Sequence, residues 1–226
     1  LRRPYLRQKS FLDEVGALVR DSTSFGRQVY SPGATALLVI DMQDYFIDQA
    51  SHAYIPGVED TVPRIASLIE AFRENGLPVV FTRHVNTDED ASALSLWWND
   101  LIRADSPMSV ITELLDTSLG TVVEKTQYDA FHGTGLEELL RKSGVSRVVV
   151  TGVATHLCCE TTARSAFVRG FEVTFPVDAS ATYDARHHLA TLLNLSHGFS
   201  SITTADGLLA AMGAGEERAD SGHPDA

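Results

Sequence analysis

A parallel β-sheet with helices on both faces is the fold that this sequence predicts. Three observations predict it. Short apolar runs of strand length recur along the chain, among them ALLVI (36–40), PVVF (78–81) and VVV (148–150). Segments of helical period lie between them. The runs are apolar throughout rather than alternating, which marks strands buried on both sides. Right-handed crossovers then leave a doubly wound, six-stranded α/β sandwich of Rossmann-like, three-layer form.

The elements follow in order. Residues 1–33 combine arginine-rich and Ser/Gly/Pro pieces without strong periodicity and read as an N-terminal arm. ALLVID (36–41) is a buried strand that ends in an acid. Pro56-Gly57 signals a turn, and Val62, Ile65, Ile69 and Phe72 have helical spacing up to Asn75-Gly76. PVVFTR (78–83) is the second strand, and residues 84–107 form a long polar stretch containing Trp97-Trp98. TVVEK (121–125) and SRVVVTG (146–152) are the third and fourth strands, with a short helix over 135–144 between them. A helix over 158–169, the strand FEVTFPVD (171–178), a helix over 185–197, the strand FSSIT (199–203) and a helix over 206–212 complete the domain, 34–212. Residues 213–226 have the composition of a disordered tail.

A chain of 226 residues suits one domain with a sizeable core. Its 44% hydrophobic and 21% charged content excludes a disordered or fibrous protein. No apolar run is long enough to span a bilayer. The formal charge of −12 argues against nucleic acid or an anionic membrane as partner and says little else. No apolar region follows the basic start, and the two cysteines, Cys158 and Cys159, are adjacent and poorly placed to bridge each other, so a cytoplasmic protein is expected.

Ligands of such sheets bind beyond the carboxyl ends of the strands. Asp41 ends the first strand, Lys125 ends the third, and Cys158 follows the fourth after the loop VATHL (153–157). Each has an ordinary alternative: a capping acid, a solvated lysine, a packed thiol. Together they put carboxylate, ammonium and thiol on one crevice. A helix start and a nearby cation would lower the thiol pKa, the carboxylate could carry its proton, and amides at the helix start could hold an oxyanion. That is the chemistry of amide hydrolysis through a thioester, with no cofactor. The first strand leads into DMQDYF rather than a glycine-rich phosphate loop, which excludes a dinucleotide site.

DMQDYF (41–46), EKTQYDAFHGTGLEELL (124–140) and VTGVATHLCCETTARSAFVRG (150–170) resemble the isochorismatase-like hydrolases, in order and spacing, over about residues 34–210. The resemblance implies an Asp41–Lys125–Cys158 triad and a cis peptide at Val153–Ala154 that aims the Ala154 and Cys158 amides at the substrate oxygen. It implies a homo-oligomer, a dimer or tetramer. Isochorismatases of this superfamily carry a small residue at the position of Cys158 and a glutamine at that of His84, so the amidase branch, acting on a small amide, carbamoyl or lactam compound, is favoured. The alternatives are vinyl ether hydrolysis with Asp41 as acid, and a non-catalytic oligomeric binding protein. Nicotinamidases of the superfamily add a metal held by an Asp-x-His pair; here the stretch reads Thr82-Arg83-His84, so no metal is expected unless Asp48, His52 and His84 assemble a substitute. Phe46, His84, Trp98, Tyr128 and Phe131 are the expected substrate-binding residues, with Arg83 as a further partner for a substrate carboxylate. One of Trp97 and Trp98 is expected in the core. Cys159 reads as a packed small hydrophobe, His156 as a local hydrogen bonder, and His187-His188 receives no role.

Overall fold

The computed structural model describes residues 4–24, 29–31, 33–98 and 100–220. The six strands expected from the apolar runs are present: β1 (Thr35–Ile40), β2 (Val79–His84), β3 (Thr121–Lys125), β4 (Arg147–Val153), β5 (Glu172–Pro176) and β7 (Ser201–Thr203). They pair in parallel in the order β3-β2-β1-β4-β5-β7. A seventh strand, β6 (Ser180–Ala181), pairs with the end of β4 through Gly152↔Ser180 and Val153↔Ala181. Two residues are too few to show a period, so β6 leaves no mark in the hydrophobic pattern.

The helices in chain order are α1 (Lys9–Ser24), α2 (Asp44–Ile47), α3 (Val62–Glu74), α4 (Leu94–Trp97), α5 (Leu136–Lys142), α6 (Glu160–Val168), α7 (Ala185–Gly198) and α8 (Ala205–Asp220). Side chains alternate across the central strands and feed two cores, while the edge strand β3 is mostly exposed rather than buried on both sides. Leu38, Ile40, Val148 and Val150 face one layer, with α5 (Leu136–Lys142), α6 (Glu160–Val168) and α7 (Ala185–Gly198) contributing Leu140, Ala163 and Leu192. Leu37, Val39 and Val149 face the other, where α3 (Val62–Glu74) and α8 (Ala205–Asp220) bring Ile65, Phe72 and Leu208. β1 lies mid-sheet and the order runs out from it in both directions, so the crevice opens beyond the ends of β1 and β4. At Gly152 a Cβ would strike the Ile40 carbonyl, so only glycine lets β4 approach the end of β1 there. No helix among the described residues is long and apolar enough to cross a membrane.

The two ends of the chain differ from expectation. The arm contains α1 (Lys9–Ser24), in which Phe11 and Val15 are buried and Leu18 and Val19 pack against the core. This is helical spacing, interrupted in the sequence by Gly16. At the other end α8 continues to Asp220, through eight residues whose composition suggested a tail; residues 221–226 lie outside the described ones.

Tyr5 ties the arm to the body of the protein. Its hydroxyl accepts the Thr182 N–H (3.0 Å) and donates to Nδ1 of buried His188 (2.8 Å). Burial holds His188 neutral, with its pKa lowered to about 3. An unfolded histidine titrates near about 6.5. Between those values the unfolded chain binds a proton that the folded chain does not, so stability falls as pH drops below about 6.5. The slope is up to about 1.4 kcal/mol per pH unit. Denaturant midpoints at pH 7 and pH 5 should show this loss, and His188→Asn should reduce it; an unchanged slope in the variant would contradict the assignment.

Candidate active site

Strand register brings the three predicted residues together. Ile40 pairs with Gly152 across β1 and β4, and His84 pairs with Lys125 across β2 and β3. Asp41 follows β1 in the left-handed region (φ 49°), a conformation costly for a non-glycine residue and characteristic of functional sites. Its amide donates to Thr82 Oγ1 (3.0 Å), and the Thr82 hydroxyl donates to Asp41 Oδ1 (2.6 Å). The other carboxylate oxygen, Oδ2, lies 2.7 Å from Lys125 Nζ, with both side chains fully buried.

The Lys125 ammonium has three protons, and three acceptors besides the sulfur surround it: Asp41 Oδ2, the Gln127 carbonyl (2.8 Å) and His84 Nδ1 (3.1 Å). Cys158 Sγ is 3.5 Å away. The His84 tautomer follows from its neighbours. Asn86 donates through Nδ2 to Asp90 Oδ1 and the Thr126 carbonyl, so its Oδ1 is the acceptor for His84 Nε2–H (2.8 Å). Nδ1 is then a lone pair facing the ammonium. Burial and the Lys125 charge keep this ring neutral, lowering its pKa to about 4. Burial works against the Lys125 charge, but Asp41 holds the ammonium above its ordinary pKa.

The thiol departs from expectation. Burial pushes the Cys158 pKa up; Lys125 pulls it down and Asp41 pushes it up again, and the net direction is upward. Charge counting gives the same answer. Asp41 and Lys125 already neutralise each other, so a thiolate would leave a net negative charge buried, which is costly. The resting site is therefore carboxylate, ammonium and neutral thiol. Cys158 follows Ala154 through one π-helical turn (Thr155–Cys159) that leads into α6. Cys159 is fully buried and its Sγ lies 3.7 Å from the Thr151 carbonyl, away from the cavity. Iodoacetamide should therefore alkylate Cys158, faster as pH rises, and leave Cys159 unmodified in the native protein. Peptide mapping that found Cys159 labelled first would contradict this.

Cys158 and Ala154 line a cavity of about 850 Å³. Phe46, His84, Trp98 and Tyr128 also line it. Phe131 does not: its amide bonds to Asp129 Oδ1 (2.8 Å), and its ring turns into the core against Phe171 (5.8 Å). Arg83 does not either. It donates to the Ser109 carbonyl (2.9 Å), the Ala104 carbonyl (2.9 Å) and Glu124 (2.6 Å), pinning residues 104–109 to the sheet edge. Trp97 is 78% exposed rather than in the core, while Trp98 donates from Nε1 to the Tyr128 hydroxyl (2.6 Å) and closes one wall. Residues the sequence left unassigned also matter. Gln43 clamps β1 to β2, accepting the His84 N–H (2.8 Å) and donating to the His84 carbonyl (3.0 Å). Tyr45, Tyr183, His156 and His187 line the cavity. The His156 and His187 rings lie 4.5 Å apart, and His156 Nδ1 is 2.6 Å from Thr182 Oγ1.

A family model described as the isochorismatase domain matches residues 35–207. The chain belongs to the isochorismatase family. Nicotinamidase 3 of Arabidopsis thaliana is 40% identical over 178 residues, 76% of this chain and 86% of that one. Enterobactin synthase component B of Escherichia coli is 32% identical over 185 residues, 80% of this chain but 65% of that protein's length. Among solved structures, a cysteine hydrolase from Pseudomonas syringae pv. phaseolicola superposes with a TM-score of 0.80 at 26% identity, covering 83% of this chain and 96% of that one. The peptide Val153–Ala154 is cis, as resemblance to this family implied.

The metal site of some isochorismatase-like enzymes does not fit the residues here. Asp41, His84 and Cys158 have ligand atoms within 4.8 Å of one another, the one such cluster among the described residues. The Lys125 ammonium contacts all three, and both His84 ring nitrogens have partners. His52 is turned instead towards Tyr45 (3.2 Å) and Asp100 (3.5 Å), so the Asp48, His52 and His84 alternative is not assembled.

Proposed function

We propose that this isochorismatase-family hydrolase uses Cys158 as the nucleophile, Asp41 as the proton carrier and Lys125 as the fixed cation, to cleave a small amide, carbamoyl or lactam compound. One observation carries the reading: a thiol on the cavity wall, 3.5 Å from an ammonium that is itself 2.7 Å from a buried carboxylate. The 40% identity to a nicotinamidase supports an amide as substrate class.

The steps balance without a cofactor. The thiol proton passes to Asp41 as sulfur bonds to the amide carbon. The Ala154 and Cys158 amides receive the oxyanion. On collapse the C–N bond breaks, and Asp41 returns the proton to the departing amine. Water then attacks the thioester and gives a proton to Asp41. Collapse of the second intermediate releases the acid, and the sulfur regains its proton from Asp41. A neutral resting thiol suits this cycle, because the nucleophile forms only when a substrate carbon is there to receive it. His84 supports the cycle from behind, as a neutral acceptor that orients Lys125.

Ammonia or amine release from a panel of nicotinamide, N-carbamoyl amino acids, monoamides of dicarboxylic acids and small lactams tests the proposal, with intact mass to trap a thioester on Cys158. An adduct located elsewhere, or none with turnover present, would remove Cys158 from its role. Since the His84 nitrogens are already engaged, dialysis against a chelator should leave turnover unchanged. Loss of activity on chelation, restored by zinc, would contradict that expectation.

A further inference from the structure

The cavity is built from rings and acids. Tyr45, Phe46, Tyr54, Trp98, Tyr128 and Tyr183 supply its aromatic surface. Two carboxylates stand on the wall, Asp100 and Asp184. Both are held in place: Asp100 by the Tyr45 hydroxyl (3.3 Å) and His52 (3.5 Å), Asp184 by the His187 amide (3.0 Å), which it caps, and the His187 ring (3.0 Å). Among the described residues that wall the cavity, none is lysine or arginine. The histidines there are His52, His84, His156 and His187, and burial favours the neutral ring at His84 and His156. Lys125 sits behind Cys158, its charge matched by Asp41. Arg83, the cation that the sequence suggested for a substrate carboxylate, is spent on the sheet edge.

We propose that this cavity selects by charge, admitting planar amides that are uncharged or cationic and turning away those that carry a carboxylate. The proposal rests on the amide-hydrolase reading and names its substrate class. A cation over the ring faces is attracted by their quadrupoles, and Asp100 and Asp184 add to the attraction. A carboxylate in the same place meets two like charges and no fixed cation, and loses its water without a partner.

Three para-substituted ring amides of similar size test the idea: 4-(trimethylammonio)benzamide, benzamide and 4-carbamoylbenzoate. With the intact enzyme, kcat/KM for ammonia release should be at least about tenfold higher for the cation than for the anion, benzamide lying between or equal to the cation. In Asp100→Asn/Asp184→Asn the cation-to-anion ratio should fall towards one. Binding is read separately, by calorimetry with phenyltrimethylammonium and benzoate, ring probes that carry no amide. The ammonium should bind about tenfold more tightly than benzoate. Release of ammonia from none of the three would count against the hydrolase reading and leave charge selection to the binding result. Equal or tighter binding of benzoate, no binding of either probe, or preferred turnover of the anion would overturn charge selection itself.

Discussion

Replacing Cys158 with alanine is expected to lower kcat/KM for amide hydrolysis by about 100,000-fold, to the level left by binding and the oxyanion amides alone. No other group can take the nucleophile's place. Cys159 points to the Thr151 carbonyl, and Lys125 is enclosed by its acceptors. The fold should tolerate the change, because it removes one sulfur at a cavity wall and uncovers no charge. A stability loss of no more than about 1–2 kcal/mol is expected, so lost turnover can be read as lost chemistry. The same variant separates the second reading. A vinyl ether is cleaved by protonation, for which Asp41 suffices, so an isochorismate-cleaving enzyme would keep releasing pyruvate without the thiol. Retained amide hydrolysis by Cys158→Ala would end the thioester mechanism.

The parts of the site that were legible in the sequence are those fixed by the ends of parallel strands. Asp41 follows the fully buried β1 and Lys125 ends β3, an edge strand that is mostly exposed, and a parallel sheet brings such ends to one edge whatever the loops do. Cys158 stands one loop after a third run, and is found in the same way. Strand period also held information about Arg83. Thr82 reaches Asp41 and His84 reaches Lys125, so the residue between them must point to the other face. Phe131 is lost to the cavity through a local Asx turn at Asp129, which nothing in the hydrophobic pattern marks. Gln43, Asn86, Tyr45 and Tyr183 act through cross-strand or loop contacts, between residues as far apart as 183 and 53, and such contacts exist only once the chain has folded. The arm hid its helix because Gly16 falls among Phe11, Val15 and Val19, and its anchor is a single tyrosine, Tyr5, bonded 183 positions away.

Substituting Lys125 with methionine is expected to cost about 3–5 kcal/mol of stability as well as nearly all activity. Methionine fills much of the same volume, so the loss comes from charge. Asp41 would keep the Thr82 hydroxyl on Oδ1 but lose the ammonium 2.7 Å from Oδ2, leaving a carboxylate buried without its counter-charge. His84 Nδ1 and the Gln127 carbonyl would lose a donor at the same time. Asp41→Asn alone leaves the opposite imbalance, an ammonium that has lost its carboxylate, and should also destabilise. Combining the two removes both charges together. The double variant Asp41→Asn/Lys125→Met should therefore be clearly more stable than the sum of the single losses predicts, by about 2 kcal/mol or more in a double-mutant cycle. Its activity should stay at the floor, since neither amide nor thioether can carry a proton between sulfur and the departing amine. Stability thus couples between the two positions while activity does not recover. Additive stability losses would mean that the buried pair is not the interaction that matters. Recovered turnover in the double variant would show that the proton travels by another route.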